Sequence, residues 1–180
     1  METESKLRLA DVFVSITDPR QANKIEHELV ELLVVAVNAV LVGADTFVEI
    51  ERRAQERIDW LRRYLRLEHG IPSHDIFGCL FGLINPDEFE AAFRRWTRAV
   101  LPTLGKSNEN AAIPELLATL ALEGWMPWGT GHAAHNLAIL KHITLNLIRL
   151  DPIKRKGGIK ARRFIAATSD AYRELLLGLG

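Results

Sequence analysis

The sequence predicts an all-α fold, an N-terminal helical bundle followed by a looser helical C-terminal tail. Apolar residues recur at spacings of three and four over long stretches, the period of a helix with one buried face. Cap and stop residues divide those stretches into helix-sized lengths. No run alternates apolar and polar residues as a half-buried strand must. At 180 residues and 48% hydrophobic, the chain has the size of one domain with an appendage.

Asp18-Pro19-Arg20 reads as a turn ahead of the first strong helix. From Ile25 to Val42 the apolar residues Leu29, Leu32, Leu33, Ala36, Val37, Val40 and Leu41 leave almost no polar face. This helix is expected at the buried centre, with Gly43 as its C-terminal cap. A second helix is expected as one piece from Thr46 to Leu67. Phe47, Ile50, Ala54, Ile58, Leu61 and Leu65 line one face, and Glu49, Arg52, Arg53, Glu56, Asp59, Arg62 and Arg63 the other. Its pairs Glu49–Arg53 and Arg52–Glu56 are each worth about 0.2–0.5 kcal/mol. Glu68-His69-Gly70-Ile71-Pro72 ends it. Ser73 is the expected N-cap of a short helix carrying Ile76, Phe77 and Leu80. The next start has Asn85 as cap, Pro86 in the first helical position and Glu88 completing a capping box. Phe89, Phe93, Trp96 and Val100 follow on one face, up to Leu101-Pro102. Beyond Gly105 the pattern predicts short helices over 113–122 and 171–179 and a long one over 133–150, stopped by Asp151-Pro152.

Charge narrows the partners. The chain is neutral overall, yet residues 1–105 hold 13 Lys/Arg against 17 Asp/Glu, and residues 106–180 hold 10 against 6. The basic end is where phosphate contacts are expected. Lys154, Arg155, Lys156, Lys160, Arg162 and Arg163 lie in a stretch without an acid. Read as a flexible basic run, they are DNA-backbone candidates, and equally a solvated tail. Arg52, Arg53, Arg62 and Arg63 are weaker candidates of the same kind. Cys79 is the single cysteine, so no internal disulfide is expected. Met1 to Ser5 carries acids and no apolar run behind them, and Glu31 and Asn38 interrupt the most apolar stretch. The expectation is a soluble, cytoplasmic chain with no membrane segment. The spacing of His69, His74 and Cys79 is too open for a zinc site and has no fourth ligand. His132, His135 and His142 have no cysteine beside them, and Gly129-Thr130-Gly131 lacks the phosphate-loop signature. No metal site is therefore expected.

The run Gly70-Ile71-Pro72-Ser73-His74-Asp75-Ile76-Phe77, with Asn85-Pro86 through Trp96 after it, resembles the N-terminal region of the H-repeat-associated (Rhs-linked) insertion-sequence transposases of the DDE type. Within it Ile71, Pro72, Ser73, His74, Asp75 and Phe77 read as structural. The resemblance implies three pieces: an associated helical domain at 18–105, a catalytic-domain remnant at 106–124 and the transposase tail at 131–180. It also implies an RNase H-like sheet whose three carboxylates hold two magnesium ions for phosphoryl transfer. That sheet is expected to be missing here. Leu104-Gly105 runs directly into Lys106-Ser107-Asn108, Gly124 is followed by Trp125-Met126-Pro127-Trp128, and no Glu stands in the family's third setting. No catalytic residue and no cofactor are therefore assigned. The expectation is an internally deleted, inactive transposase that retains DNA contact, or pairing with itself or an intact transposase. The alternatives are a helical interaction module without DNA function and a non-functional remnant.

Overall fold

The computed structural model describes residues 9–100, 131–149, 151 and 157–179. They form α1 (Leu9–Phe13), a short 3-10 turn (Ala22–Lys24), α2 (Leu29–Leu41), α3 (Phe47–Gln55), α4 (Ile58–Leu61), α5 (His74–Leu83) and α6 (Pro86–Val100). After the connection come α7 (Ala133–Arg149), α8 (Ile159–Thr168) and α9 (Asp170–Leu177). No strand occurs among the described residues, as an all-α fold requires. The expected helix at 113–122 lies outside them.

Every residue of α2 except Val30 is buried. Its valines are mediocre helix formers, so packing rather than propensity holds this helix. α1, α3, α7 and α8 surround it. Its end is a Schellman motif: Gly43 takes φ +106°, its N–H donates to Val40 O (3.0 Å), and Ala44 N–H donates to Ala39 O (2.9 Å). Phe47, Phe81, Phe89 and Phe13 continue the core as a chain of tilted and edge-on rings with centroids 5.5–6.2 Å apart.

The helix expected from Thr46 to Leu67 is broken. α3 stops at Gln55, and α4 restarts at Ile58 for a single turn. Trp60 explains the break. On a straight helix it falls off the apolar face, and the turn brings it inside, where it is 5% exposed. Burying an indole contributes more than the helical bonds given up between Gln55 and Ile58.

Two helix starts also differ from expectation. The Ser73 side chain makes no cap bond. The α5 start is held instead by Glu51 of α3, whose Oε2 accepts from His74 N–H at 2.8 Å. Asn85 does cap α6, accepting from Asp87 N–H at 2.9 Å. Glu88, however, does not turn back to close the box. It accepts from Thr17 N–H at 3.0 Å and ties the segment after α1 to α6.

The tail is helical and bound into this core more closely than a loose appendage. Ile139, Leu140, Ile143 and Ile148 of α7 are fully shielded, and Leu147 is buried beside them. Ile159 to Arg163 is the first half of α8, where the sequence had suggested a flexible basic run.

One buried group is out of place. Asn38 lies at zero exposure within α2, and neither its Nδ2 nor its Oδ1 has a partner among the described residues. An unpaired buried amide costs about 1–3 kcal/mol. Asn38→Leu is therefore expected to stabilise the chain by about 1–2 kcal/mol. The urea midpoint should rise with no change in slope. A lowered midpoint would show that the amide has a partner in solution.

Candidate functional site

The motif 71–77 sits at the end of a loop strapped to α2. Glu31, in the first turn of that helix, accepts from Arg66 N–H (2.7 Å) and Leu67 N–H (3.2 Å) through one oxygen. That fixes Leu67 at φ +43°, a conformation a branched residue adopts only when held. His69 then meets His27 edge-on, with centroids 6.0 Å apart. Burial first, and the charge of His69 second, hold His27 below its ordinary value. Arg20 clamps the near side: it chelates Asp18 and donates to His27 O at 2.8 Å. Its hydrogen bonds lower the Asp18 carboxyl.

Within the motif Ile71 is half-buried, while Pro72 and Phe77 are buried. His74 is exposed, with Nδ1 2.7 Å from Glu51 Oε2. Asp75 Oδ1 stands 3.5 Å from the other ring nitrogen. These contacts join α3 to α5. Among the described residues no three His, Cys, Asp or Glu side chains are placed to hold a metal ion. Cys79 is exposed on α5.

The basic candidates divide into two groups. Arg52, Arg62, Arg63 and Lys160 are exposed. Arg53 is partly covered and pairs with Glu56 at 3.6 Å. Arg162 and Arg163 turn inward: Arg162 donates to Ile148 O (3.2 Å) at the end of α7, and Arg163 to Val40 O (2.8 Å) at the end of α2. Cations at helix C-termini satisfy orphan carbonyls and oppose the helix dipole. Lys154, Arg155 and Lys156 lie outside the described residues. Among the described candidates, Arg162 and Arg163 are thus engaged at helix ends, and Arg52, Arg62, Arg63 and Lys160 remain exposed.

Sequence reasoning missed a second arginine cluster. Arg173, fully enclosed, donates to Ala166 O (2.6 Å) and Ala167 O (3.3 Å) at the end of α8 and pairs with Asp170. Its guanidinium lies 4.7 Å over the Trp60 ring. Arg57 donates to the same Ala167 carbonyl. Trp60 Nε1–H donates to Glu174 Oε1 at 3.3 Å. The signal in the sequence was an arginine flanked by Asp170 and Glu174 in the last helix. A cavity of about 380 Å³ lies at the start of α2, walled by Leu9, Val30, Val34 and Leu177 and bordered by Glu28 and Arg66.

The His74–Glu51 pair gives a pH signature. The hydrogen bond with Glu51 raises His74 above 6.5, and the same bond lowers Glu51 below 4.5. The His74 contribution is complete below its unfolded value and is lost as pH rises through the raised one. The Glu51 contribution is complete above its unfolded value and is lost as pH falls through the lowered one. Wild-type stability minus that of His74→Ala should therefore peak between about pH 4.5 and 6.5 and shrink on both sides. Denaturant titrations at a series of pH values check this, and a flat difference would remove the ion pair.

The family model described as DDE_Tnp_1-associated matches residues 10–97, from α1 through most of α6. A protein of the dhlA 3′ region of Xanthobacter autotrophicus is 46% identical over 86 residues, 47% of this chain and 29% of that protein. The H repeat-associated protein YhhI of Escherichia coli strain K12 is 36% identical over 83 residues, 46% of this chain and 22% of its own length. The inactive transposase YbfQ of the same strain is 41% identical over 63 residues, 34% of this chain and 75% of YbfQ. The alignments thus span less than a third of the two longer relatives. No solved structure matches the chain. Among the described residues no helix is long and apolar enough to cross a membrane. The matched residues are those that build the α2 core and its strapped 65–77 loop, and through them the chain belongs to the H repeat-associated, DDE-type transposase family.

Proposed function

We propose that this chain is a shortened transposase that has lost strand transfer and acts through its helices, by contacting DNA or by pairing with an intact transposase. The carrying observation is in the sequence: the settings after Gly105 and Gly124, where the resemblance places catalytic carboxylates, read Lys106-Ser107-Asn108 and Trp125-Met126-Pro127-Trp128 and hold no acid. A relative that its alignment to this chain largely spans is itself named inactive. After Gly105 the acids are Glu109, Glu115, Glu123, Asp151, Asp170 and Glu174. Of these, Asp151 accepts from the Tyr172 hydroxyl (2.9 Å), and Asp170 and Glu174 engage Arg173 and Trp60. Two magnesium ions need converging carboxylates, which the described residues do not supply. No metal step is assigned to this chain.

For DNA contact, the exposed charges Arg52, Arg62, Arg63 and Lys160 are the phosphate ligands this reading uses. Arg162 and Arg163 already serve helix ends. Such contacts position a protein on a duplex without reading sequence. The purified chain should bind a duplex bearing the element's terminal inverted repeats and a scrambled duplex alike, and both less tightly as salt rises. Arg62→Ala with Arg63→Ala should weaken both duplexes alike and reduce the salt slope by up to about two, near 0.9 per lost phosphate contact. Fluorescence anisotropy at two salt concentrations measures this. Absence of binding, with salt-insensitive self-association, would favour a helical interaction module instead.

A further inference from the structure

The family match ends at residue 97, yet the core it belongs to continues. Ile139, Leu140 and Ile143 of α7 lie in the same apolar cluster as Leu33, Val37, Phe77 and Phe81. The joint is polar at one end. Asn136, wholly enclosed, donates through Nδ2 to Phe81 O (2.8 Å) and Ile84 O (2.9 Å). The two carbonyl acceptors also fix which side-chain atom is the nitrogen. His132 N–H donates to Gly82 O at 3.2 Å. Phe81 and Gly82 belong to the last turn of α5, and Ile84 follows it. That turn has no next turn to bond its carbonyls. The start of α7 therefore caps a helix 55 residues upstream, and opposite dipole ends meet there. Gly131 permits the approach: it takes φ +93°, and a Cβ there would stand 2.5 Å from Gly82 O.

The far end is tied as well. Arg163 reaches Val40 O, Arg57 reaches Ala167 O, and Arg173 stacks on Trp60. A tail resting on a finished domain would leave its polar joint wet. Here, sliding α7 by one turn would strand the Asn136 amide and two carbonyls among apolar side chains.

We infer that the described residues on either side of 101–130, those within 9–100 and those within 131–179, fold as one module. The surface of α2 and α5 is the docking surface for the C-terminal helices, and Asn136 is the positioning residue that sets their register. The inference stands whether or not the chain contacts DNA.

Hydrogen exchange on the full chain across sub-denaturing urea tests it. Amides of α2, α5 and α7 should exchange through one shared opening with one urea dependence. Asn136→Ala should lower protection in α5 and α7 by the same factor, on the order of tenfold. If that variant unfolds α2 and α5 together with α7, the module is one unit and the proposal holds. Arg163→Met, a milder change at the opposite end, should lower α2 and α8 together. The proposal is overturned if α7 to α9 open at lower urea while α2 and α5 keep their protection. It is equally overturned if Asn136→Ala affects α7 alone.

Discussion

A helix that is apolar on every side must be enclosed on every side, and α2 imposes that constraint on the rest of the chain. One flanking helix would cover a stripe of it and leave the remainder wet. α1, α3, α7 and α8 share the task, and they come from both halves of the sequence. Each fully buried aliphatic residue contributes about 1.5–3 kcal/mol against exposure, which gives distant segments reason to assemble. The ends of α2 then become attachment points. Glu31 at its start holds the loop through Leu67, and Val40 near its finish accepts the guanidinium of Arg163.

Much of this was legible from pattern. The density of apolar residues between Leu29 and Leu41 located the centre, and Gly43 marked its end. The Asn85-Pro86 start was read correctly because a cap and a first-position proline are local chemistry. Failures came where the partner was remote. Ser73 had the right residue type for a cap, but Glu51, one helix away, takes the first amide of the helix instead. Glu88 had the right spacing for a box, and Thr17 offered an unbonded N–H. The break at Gln55 was hidden because periodicity counts residues on a face. It does not weigh one indole against a turn of helix. The same limit hid Arg173 and Asn136, whose spacing says nothing about the carbonyls they meet.

Charge shows the gap between composition and availability. The excess of Lys and Arg beyond residue 105 suggested a free basic tail. Arg162, Arg163 and Arg173 are instead bonded to the ends of α7, α2 and α8. A guanidinium bonded to a helix end retains its charge but surrenders geometry. It contributes to the field a phosphate meets at a distance, and less to direct bidentate contact. On the proposed reading, direct phosphate contact falls to Arg52 of α3, to Arg62 and Arg63 after α4, and to Lys160.

This distribution bears on how the helical framework stays folded when the described residues hold no sheet. Removing the end of a domain exposes the surface it covered, and the remainder must repack. Removing something held between two anchored flanks leaves those anchors in place. Here both flanks are bonded by groups that do not come from 101–130: Asn136 to the end of α5, Arg163 to the end of α2, Arg57 to the end of α8. Each bond closes a helix terminus that would otherwise need water. The helical framework is thus self-satisfied among the described residues at those ends, and its stability does not wait on a sheet. On the proposed reading, a folded helical surface and loss of strand transfer can then coexist in one chain.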